Sequence, residues 1–231
     1  MTIELLPDAE SLAQHIADKL AARVRDLQAD GVTPSVVLTG GTIAIAAYEL
    51  ISAESADWAH VDFWWGDERF VAADNPDYNA LQAREAFLDR VGADPLKVHP
   101  IPPDDGTRSA AESAAMYAAH LPARVFDIVL LGVGPDGHIA SLFPGFPQLT
   151  ERHHAVVEVF DSPKPPPVRV TLTFPSLNSA DSVWFLVSGD GKAEAVRRAM
   201  GEGTIDNTPA TGVHGQKETL WLLDEAAVSL L

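Results

Sequence analysis

The sequence predicts an α/β fold in which a largely parallel sheet lies between layers of helices. Short apolar runs typical of buried strands alternate with segments of helical periodicity from end to end. The 231 residues show no internal repeat and no break in composition, and this length is sufficient to bury a substantial core. We therefore expect one domain that spans residues 1–231.

The first half of the chain alternates helices and strands in a regular way. A stripe of apolar residues at four-residue spacing, from Leu12 to Leu27, predicts an amphipathic helix. Asp8 is suited to cap the N-terminus of this helix, and Gly31 is suited to end it. The other elements predicted before residue 121 are strands over residues 35–38, 61–65 and 98–101 and helices over residues 43–51, 78–88 and 108–120.

Residues 127–145 organise the second half of the chain. Residues 127–131 are an apolar run typical of a strand buried on both faces, and the three glycines and one proline in the next six residues predict a turn. Residues 139–143 predict a short helix that ends at Pro144 and Gly145. The proline-rich segment 161–167 predicts a stiff extended connection. Further strands are predicted over residues 155–159, 168–173, 183–187 and 220–223, with a helix over 192–200.

The composition argues against several classes of function. No apolar run is long enough to span a membrane, and the N-terminus lacks the basic and apolar regions of a signal peptide. The chain has no cysteine, which excludes disulfides and thiolate ligands and is compatible with the cytoplasm. Its 16 basic and 33 acidic residues give a net charge of −17 without a basic stripe, so we expect no nucleic acid partner. An anionic ligand would have to be held by a few local cations.

The segment Thr39-Gly40-Gly41-Thr42 lies between a predicted strand and a predicted helix. Two glycines allow a ligand to approach the backbone closely, and the helix start offers free amides and a positive dipole end. This arrangement is suited to bind a phosphate group. The alternative is a tight turn in which Thr42 only caps the helix.

The charged segment Asp67-Glu68-Arg69 follows the next predicted strand. The planar guanidinium of Arg69 is suited to bind a phosphate or a carboxylate. Asp67 is suited to orient a histidine or to bind sugar hydroxyls, and we expect Glu68 to pair with a cation. The alternative is a solvated loop, although loops at strand ends often carry function.

An imidazole and a carboxylate, those of His138 and Asp136, lie in the turn after the strand at 127–131. A histidine titrates near neutral pH and is the most common general base there, so we expect His138 to act as a base. The alternative is a structural histidine. His153 and His154 are adjacent in an extended run and point to opposite faces, so we predict no metal site there.

The same turn also has the glycine spacing of a dinucleotide-binding fingerprint, at residues 132, 134 and 137. We expect no such cofactor for three reasons. Asp136 would place a negative charge where the pyrophosphate should lie, and Pro135 removes an amide donor. The predicted helix behind the turn is also too short for a crossover helix.

Five motifs occur in an order that points to a known family. They are 39–42 (Thr-Gly-Gly-Thr), 66–69 (Gly-Asp-Glu-Arg), 132–145 (Gly-x-Gly-Pro-Asp-Gly-His-x-Ala-Ser-Leu-Phe-Pro-Gly), 162–171 (Ser-Pro-Lys-Pro-Pro-Pro-x-Arg-Val-Thr) and 221–227 (Trp-Leu-x-Asp-x-Ala-Ala). With this combination the chain resembles the 6-phosphogluconolactonases over nearly its whole length. The resemblance implies the Rossmann-like αβα sandwich shared with glucosamine-6-phosphate deaminases and ribose-5-phosphate isomerases. It also implies hydrolysis of 6-phospho-D-glucono-1,5-lactone in the oxidative pentose phosphate pathway, without a cofactor.

The residues are consistent with this chemistry. We expect His138 to take the proton from the water that attacks C1, while Asp136 or Asp67 orients the imidazole or binds ring hydroxyls. An acylated Ser141 is the alternative to direct attack by water. The residues expected to bind the phosphate or the developing oxyanion are Gly40, Gly41, Thr42, Arg69, Lys164 and Arg169.

Two other functions remain open at this point. An aminosugar-phosphate deaminase or isomerase of the same fold normally has Asn-Glu-Pro-Gly after its Asp-Gly-His, whereas residues 141–145 contain no acid. A non-catalytic sugar-phosphate sensor would keep Gly40, Gly41 and Arg169 but would not need His138. For the predicted lactonase we expect a monomer whose partner is a small-molecule phosphosugar lactone.

Overall fold

Nine strands in the described part of the chain form two sheets. The computed structural model describes residues 1–122 and 125–231. The strands are β1 (Thr2–Leu6), β2 (Ser35–Leu38), β3 (Asp62–Trp65), β4 (Asp67–Arg69), β5 (Ile128–Gly132), β6 (Val156–Val159), β7 (Arg169–Leu172), β8 (Ser182–Val187) and β9 (Glu218–Asp224).

Six of these strands form a central sheet in the order β1-β9-β8-β5-β2-β3. Every neighbouring pair is parallel. β2 and β8 are buried along their whole length, and so is β5 except at Gly132. Such burial is typical of parallel strands covered on both faces. The predicted α/β fold with a largely parallel sheet is confirmed.

The other three strands form a small antiparallel sheet in the order β4-β7-β6. Two expectations are therefore wrong: the strands near 155–159 and 168–173 do not join the parallel sheet, and residues 67–69 are not a loop. The connection between β6 and β7 is too short for the crossover that parallel strands require, so the two strands pair antiparallel. Only Gly66 separates β3 from β4, and there the chain passes from one sheet to the other.

The helices follow the predicted pattern most closely near the N-terminus. Asp8 accepts a hydrogen bond from the backbone N–H of Ser11 at 2.7 Å, and Gly31 has a φ of +78° just after the first helix. Both predicted signals for that helix are confirmed. The helices are α1 (Ala9–Ala29), α2 (Thr42–Leu50), α3 (Asn79–Ala83), α4 (Asp89–Val91), α5 (Ala110–His120), α6 (Phe174–Asn178) and α7 (Ala193–Met200), with a π-helical turn, Arg84–Leu88, between α3 and α4.

Three further predictions of secondary structure are wrong. Residues 98–101 form no strand, because the backbone of Pro100 cannot donate a hydrogen bond, and Val98 makes only an isolated bridge with Phe63. Residues 139–143 form no helix, since Ala140 has a φ of +47°, outside the right-handed helical region. β1 was not predicted; it lies at the edge of the sheet, and Ile3 is exposed.

One cluster of buried apolar residues reaches from Leu12 to Ala227 and includes side chains of both sheets. This continuity supports the single-domain interpretation. Because the strands of the central sheet are parallel, the turns after β2, β5 and β8 lie at the same edge, next to β4. None of the helices in the described ranges is both long and apolar enough to cross a membrane.

Candidate active site

A polar cleft of about 200 Å³ lies at this edge of the sheet. Seven of the nine residues predicted for the site line it: Gly40, Gly41, Asp67, Arg69, His138, Lys164 and Arg169. Of the other two, Asp136 is hydrogen-bonded to His138, and Thr42 begins α2 next to Gly41. A larger groove of about 620 Å³ adjoins the cleft and shares Gly40, Gly41 and Lys192 with it, but its lining is mainly apolar.

His138 is paired with Asp136 and not with Asp67. The imidazole Nδ1 lies 2.5 Å from the Asp136 Oδ1, which also accepts the backbone N–H of His138 at 3.3 Å. The imidazole packs on the ring of Phe143, with 4.6 Å between centroids, and its side chain is 13% exposed. With Nδ1 engaged by the carboxylate, Nε2 is the ring nitrogen left to act as a base.

The carboxylate of Asp136 is held in its ionised form. Burial would raise the pKa of Asp136, but the hydrogen bond and the charge of His138 outweigh burial and lower this pKa to about 2. The turn must also be free of side chains here, because a Cβ at Gly134 would lie 2.1 Å from the imidazole. Gly134 and His138 in addition share a backbone hydrogen bond of 2.8 Å. The turn therefore presents a fixed carboxylate–imidazole pair to the cleft.

Asp67 is buried beside this pair, and its partner is Ser141. The Ser141 Oγ donates to the Asp67 Oδ2 at 2.5 Å, and the nearest guanidinium nitrogen of Arg169 lies 3.9 Å from the same oxygen. The acyl-serine alternative requires contact between Ser141 and His138. Instead the Ser141 side chain is fully buried and its hydroxyl is committed to Asp67, so this geometry disfavours a serine nucleophile.

Arg169 donates most of its hydrogen bonds to backbone carbonyls of the proline-rich segment 161–167. Its Nε donates to the carbonyl of Pro166 at 3.2 Å, and its Nη2 donates to those of Lys164 at 3.1 Å and Pro165 at 3.3 Å. The guanidinium also lies 5.7 Å from the ring centroid of Phe143. From the sequence, Arg169 was expected to be an anion ligand, with a charge at a strand edge as the alternative. The structure shows that it also holds the backbone that carries Lys164.

Four cations converge on the cleft: Arg69, Lys164, Arg169 and Lys192. Burial lowers the pKa of Lys164, and Asp136 opposes this while Arg169 and Arg69 add to it. Burial lowers the pKa of Arg169 as well, against the attraction of Asp67. Asp67 is the one acidic residue among those that line the cleft, so the described lining has an excess of positive charge, although the whole chain carries −17.

Glu68 does not pair with a cation, and the expectation that it would is wrong. Its buried carboxyl group accepts three backbone N–H groups: those of Asn79 at 2.7 Å, Arg69 at 2.8 Å and Ala80 at 2.9 Å. Burial raises the pKa of Glu68 to about 8, although these three hydrogen bonds lower it. Glu68 therefore joins β4 to the start of α3.

Lys192 and Asn79 line the cleft and were not predicted. The Nζ of Lys192 donates to the carbonyl of Val133 at 2.7 Å, and burial lowers its pKa, as does the charge of Lys164. The sequence does contain a pointer to Lys192, since residues 189–192 (Gly-Asp-Gly-Lys) follow a buried strand much as residues 39–42 do. We see no comparable pointer to Asn79.

Two other ligand sites were considered from the sequence, the histidine pair at 153–154 and the turn at 132–137. The first lies outside the cleft, and the second lacks a helix start. His154 is exposed and contacts Glu151, outside the cleft. No cluster of three or more histidine, aspartate or glutamate side chains suited to a metal occurs within residues 1–122 and 125–231. The turn at 132–137 has no helix behind it, so it lacks the helix start that binds a pyrophosphate.

Comparison with known proteins places this chain in a family. A family model described as "Glucosamine-6-phosphate isomerases/6-phosphogluconolactonase" matches residues 7–221. The chain belongs to this family. The resemblance noted from the five motifs is thereby confirmed.

Relatives within the glucosamine-6-phosphate isomerase/6-phosphogluconolactonase family match the chain along its length. A 6-phosphogluconolactonase from Streptomyces coelicolor is 42% identical over 241 residues, which cover 97% of this chain and 92% of that protein. One from Mycobacterium tuberculosis is 40% identical, with coverage of 100% and 98%. The crystal structure of 6-phosphogluconolactonase from Thermotoga maritima superposes with a TM-score of 0.86 at 27% identity, with coverage of 97% and 99%.

Proposed function

We propose that this protein hydrolyses 6-phospho-D-glucono-1,5-lactone to 6-phospho-D-gluconate, a step of the oxidative pentose phosphate pathway. The names of its relatives in Streptomyces coelicolor and Mycobacterium tuberculosis support this activity. The observation that carries the proposal is that one cleft holds both the His138–Asp136 pair and the glycine turn at 40–41. A phosphorylated lactone requires a base at its carbonyl end and an anion-binding turn at its phosphate end.

In the proposed reaction, water attacks the lactone carbonyl directly. The Nε2 of His138 takes a proton from the water as its oxygen bonds to C1, and Asp136 stabilises the imidazolium that forms. The bond between C1 and the ring oxygen then breaks, and the imidazolium returns the proton to that oxygen. The proton count balances, and His138 ends the cycle neutral. Asp67, fixed by Ser141, is placed to bind ring hydroxyls.

The phosphate group is proposed to lie at the start of α2. The backbone amides there have no intrahelical partner, and the helix dipole favours an anion. The turn that leads into α2 lines the cleft through Gly40 and Gly41, and Lys192 lies on the same wall. Arg69 and Lys164 supply further positive charge for the phosphate or for the developing oxyanion. Arg169 contributes its remaining Nη1 and keeps Lys164 in place.

We also propose that the protein acts as a cytoplasmic monomer. The described residues of one chain already place an imidazole, a glycine turn and four cations around the cleft. The absence of cysteine is compatible with a reducing compartment. The net charge of −17 opposes association between copies.

The test is acid release from freshly prepared phosphogluconolactone, corrected for its spontaneous hydrolysis. The expected result is enzyme-dependent acid release, with no ammonia released from glucosamine 6-phosphate. Turnover of glucosamine 6-phosphate without lactone hydrolysis would instead indicate a deaminase. Binding of phosphogluconate without turnover of either compound would indicate a sensor.

A further inference from the structure

Asn79 connects the two sides of the cleft. It is the first residue of α3, is buried, and lines the cleft between Gly40 and Asp67. Its Nδ2 donates to the backbone carbonyl of Asp67 at 3.1 Å, and this hydrogen bond fixes which end of the amide faces Gly40. A Cβ at Gly40 would lie 2.2 Å from the Asn79 Oδ1 and 2.8 Å from its Cγ. The amide therefore fills the space beside Gly40.

The oxygen that faces Gly40 is buried and has no hydrogen-bond partner among the residues that the structure describes. A buried acceptor without a donor costs stability and is uncommon in folded proteins. Local features that lower stability are concentrated at functional sites. The unpartnered Asn79 Oδ1 is thus a reason to look for a role of this side chain beyond packing.

Glu68 holds Asn79 in place from the other side. Its carboxylate accepts the N–H groups of Asn79 and Ala80, and it also accepts that of Arg69 in β4. β4 and the start of α3 are therefore tied together. We call the Glu68 carboxylate and the Asn79 side chain the 68–79 brace.

We propose that the 68–79 brace sets the separation between the glycine turn at 40–41 and Asp67, and so makes hydrolysis depend on the phosphate group of the substrate. Asn79 is then a positioning residue, which acts through Gly40 and touches no substrate atom. The inference rests on the proposed function, because it assigns the phosphate to the turn after β2. It predicts that loss of the 68–79 brace weakens binding of the substrate's phosphate group. The geometry of the His138–Asp136 pair should be unchanged.

The first experiment compares Asn79→Ala with the wild type on two substrates, phosphogluconolactone and unphosphorylated glucono-1,5-lactone. The expected result is a fall of about tenfold in kcat/KM for the phosphorylated lactone, mainly through KM, and little change for the other. Gln82→Ala, in the same helix, is the matched control, because the Gln82 side chain donates to the carbonyl of Pro76 and does not line the cleft. An equal fall for both lactones would overturn the proposal, since general loss of structure would affect both.

The second experiment uses the contact between Asn79 and Gly40. Gly40→Ala should lower kcat/KM by about tenfold or more, and Gly40→Ala/Asn79→Ala should recover to the level of Asn79→Ala alone, because removing the amide makes room for the methyl group. Gly41 is the control: a Cβ there meets nothing within 4 Å, but its φ of +102° strains any other residue. Asn79→Ala should therefore not rescue Gly41→Ala. A double variant no better than Gly40→Ala would overturn the proposal.

A third measurement does not depend on turnover. Inorganic phosphate should raise the melting temperature of the wild type, and the rise should be smaller in Asn79→Ala and unchanged in Gln82→Ala. Equal rises in melting temperature in all three proteins would overturn the proposed role of the 68–79 brace. Failure of the wild type to hydrolyse phosphogluconolactone, with the phosphate effect intact, would overturn only the proposed function.

Discussion

At the scale of single residues, the partner of a side chain decides its role in this cleft. The proposed role of His138 as a base rests on Asp136, which occupies its Nδ1 and is itself held ionised, with a pKa lowered to about 2. Ser141 has the chemistry of a nucleophile, but its hydroxyl is committed to Asp67. Arg169 has the chemistry of an anion ligand, but three backbone carbonyls take up its Nε and Nη2.

The first prediction concerns His138 itself. Replacing it by alanine should lower the turnover of phosphogluconolactone by roughly a hundredfold or more, because water then loses its general base. His60→Ala is the control, since His60 is exposed and contacts Asp57 on the surface. The measurement is initial acid release above the spontaneous rate. Near-normal turnover by His138→Ala would exclude this residue as the base.

At the scale of elements, β4 explains how three consecutive charged residues serve two purposes. Side chains alternate between the faces of a strand, so Asp67 and Arg69 share one face while Glu68 points to the other. The first two line the cleft, and Glu68 is buried against the start of α3. The same three residues in a loop, as first expected, would have no such fixed alternation.

The burial of Glu68 predicts how stability depends on pH. In the folded protein its pKa is raised to about 8 from the ordinary 4.5, so between these values the folded state keeps a proton that the unfolded chain has lost. The free energy of unfolding should therefore decrease as pH rises through this range, by up to about 1.4 kcal/mol per pH unit from this group.

Glu68→Gln should flatten this dependence, because glutamine does not titrate. Urea unfolding of the two proteins at pH 5.5 and at pH 8 measures the difference. Glu85→Gln replaces an exposed glutamate near α3 and should leave the pH dependence of the free energy of unfolding as it is in the wild type. If the free energy of unfolding of Glu68→Gln changed with pH as steeply as that of the wild type, the pH dependence could not be assigned to Glu68.

At the scale of the whole molecule, four of the 16 basic residues of an acidic chain meet in one cleft. Three segments contribute them, with Arg69 in the first, Lys164 and Arg169 in the second and Lys192 in the third, and the sheet edge brings these segments together. The proposed monomer is consistent with the overall charge of −17, which opposes association between copies.

Sedimentation velocity is therefore expected to give the mass of one chain, 24.7 kDa, at moderate salt. Salt that screens the net charge should leave this mass unchanged. A species of twice the mass at micromolar concentration would contradict the monomer, and the exposed edge strand β1 would be the first surface to examine.

By itself, the sequence determined the α/β class, the family, and the glycine turn and the histidine turn of the site, because hydrophobic periodicity, glycine spacing and the order of motifs are local properties of the chain. Only the tertiary structure decided that β4, β6 and β7 form a separate antiparallel sheet and that Lys192 and Asn79 line the cleft. It also decided that the Ser141 hydroxyl donates to Asp67. The physical reason is that each of these depends on contacts between distant segments: Ser141 and Asp67 are 74 residues apart, and Lys192 and Val133 are 59 apart. The position of residues 189–192 after a buried strand points to Lys192 as a candidate, but no local pattern encodes the contacts themselves.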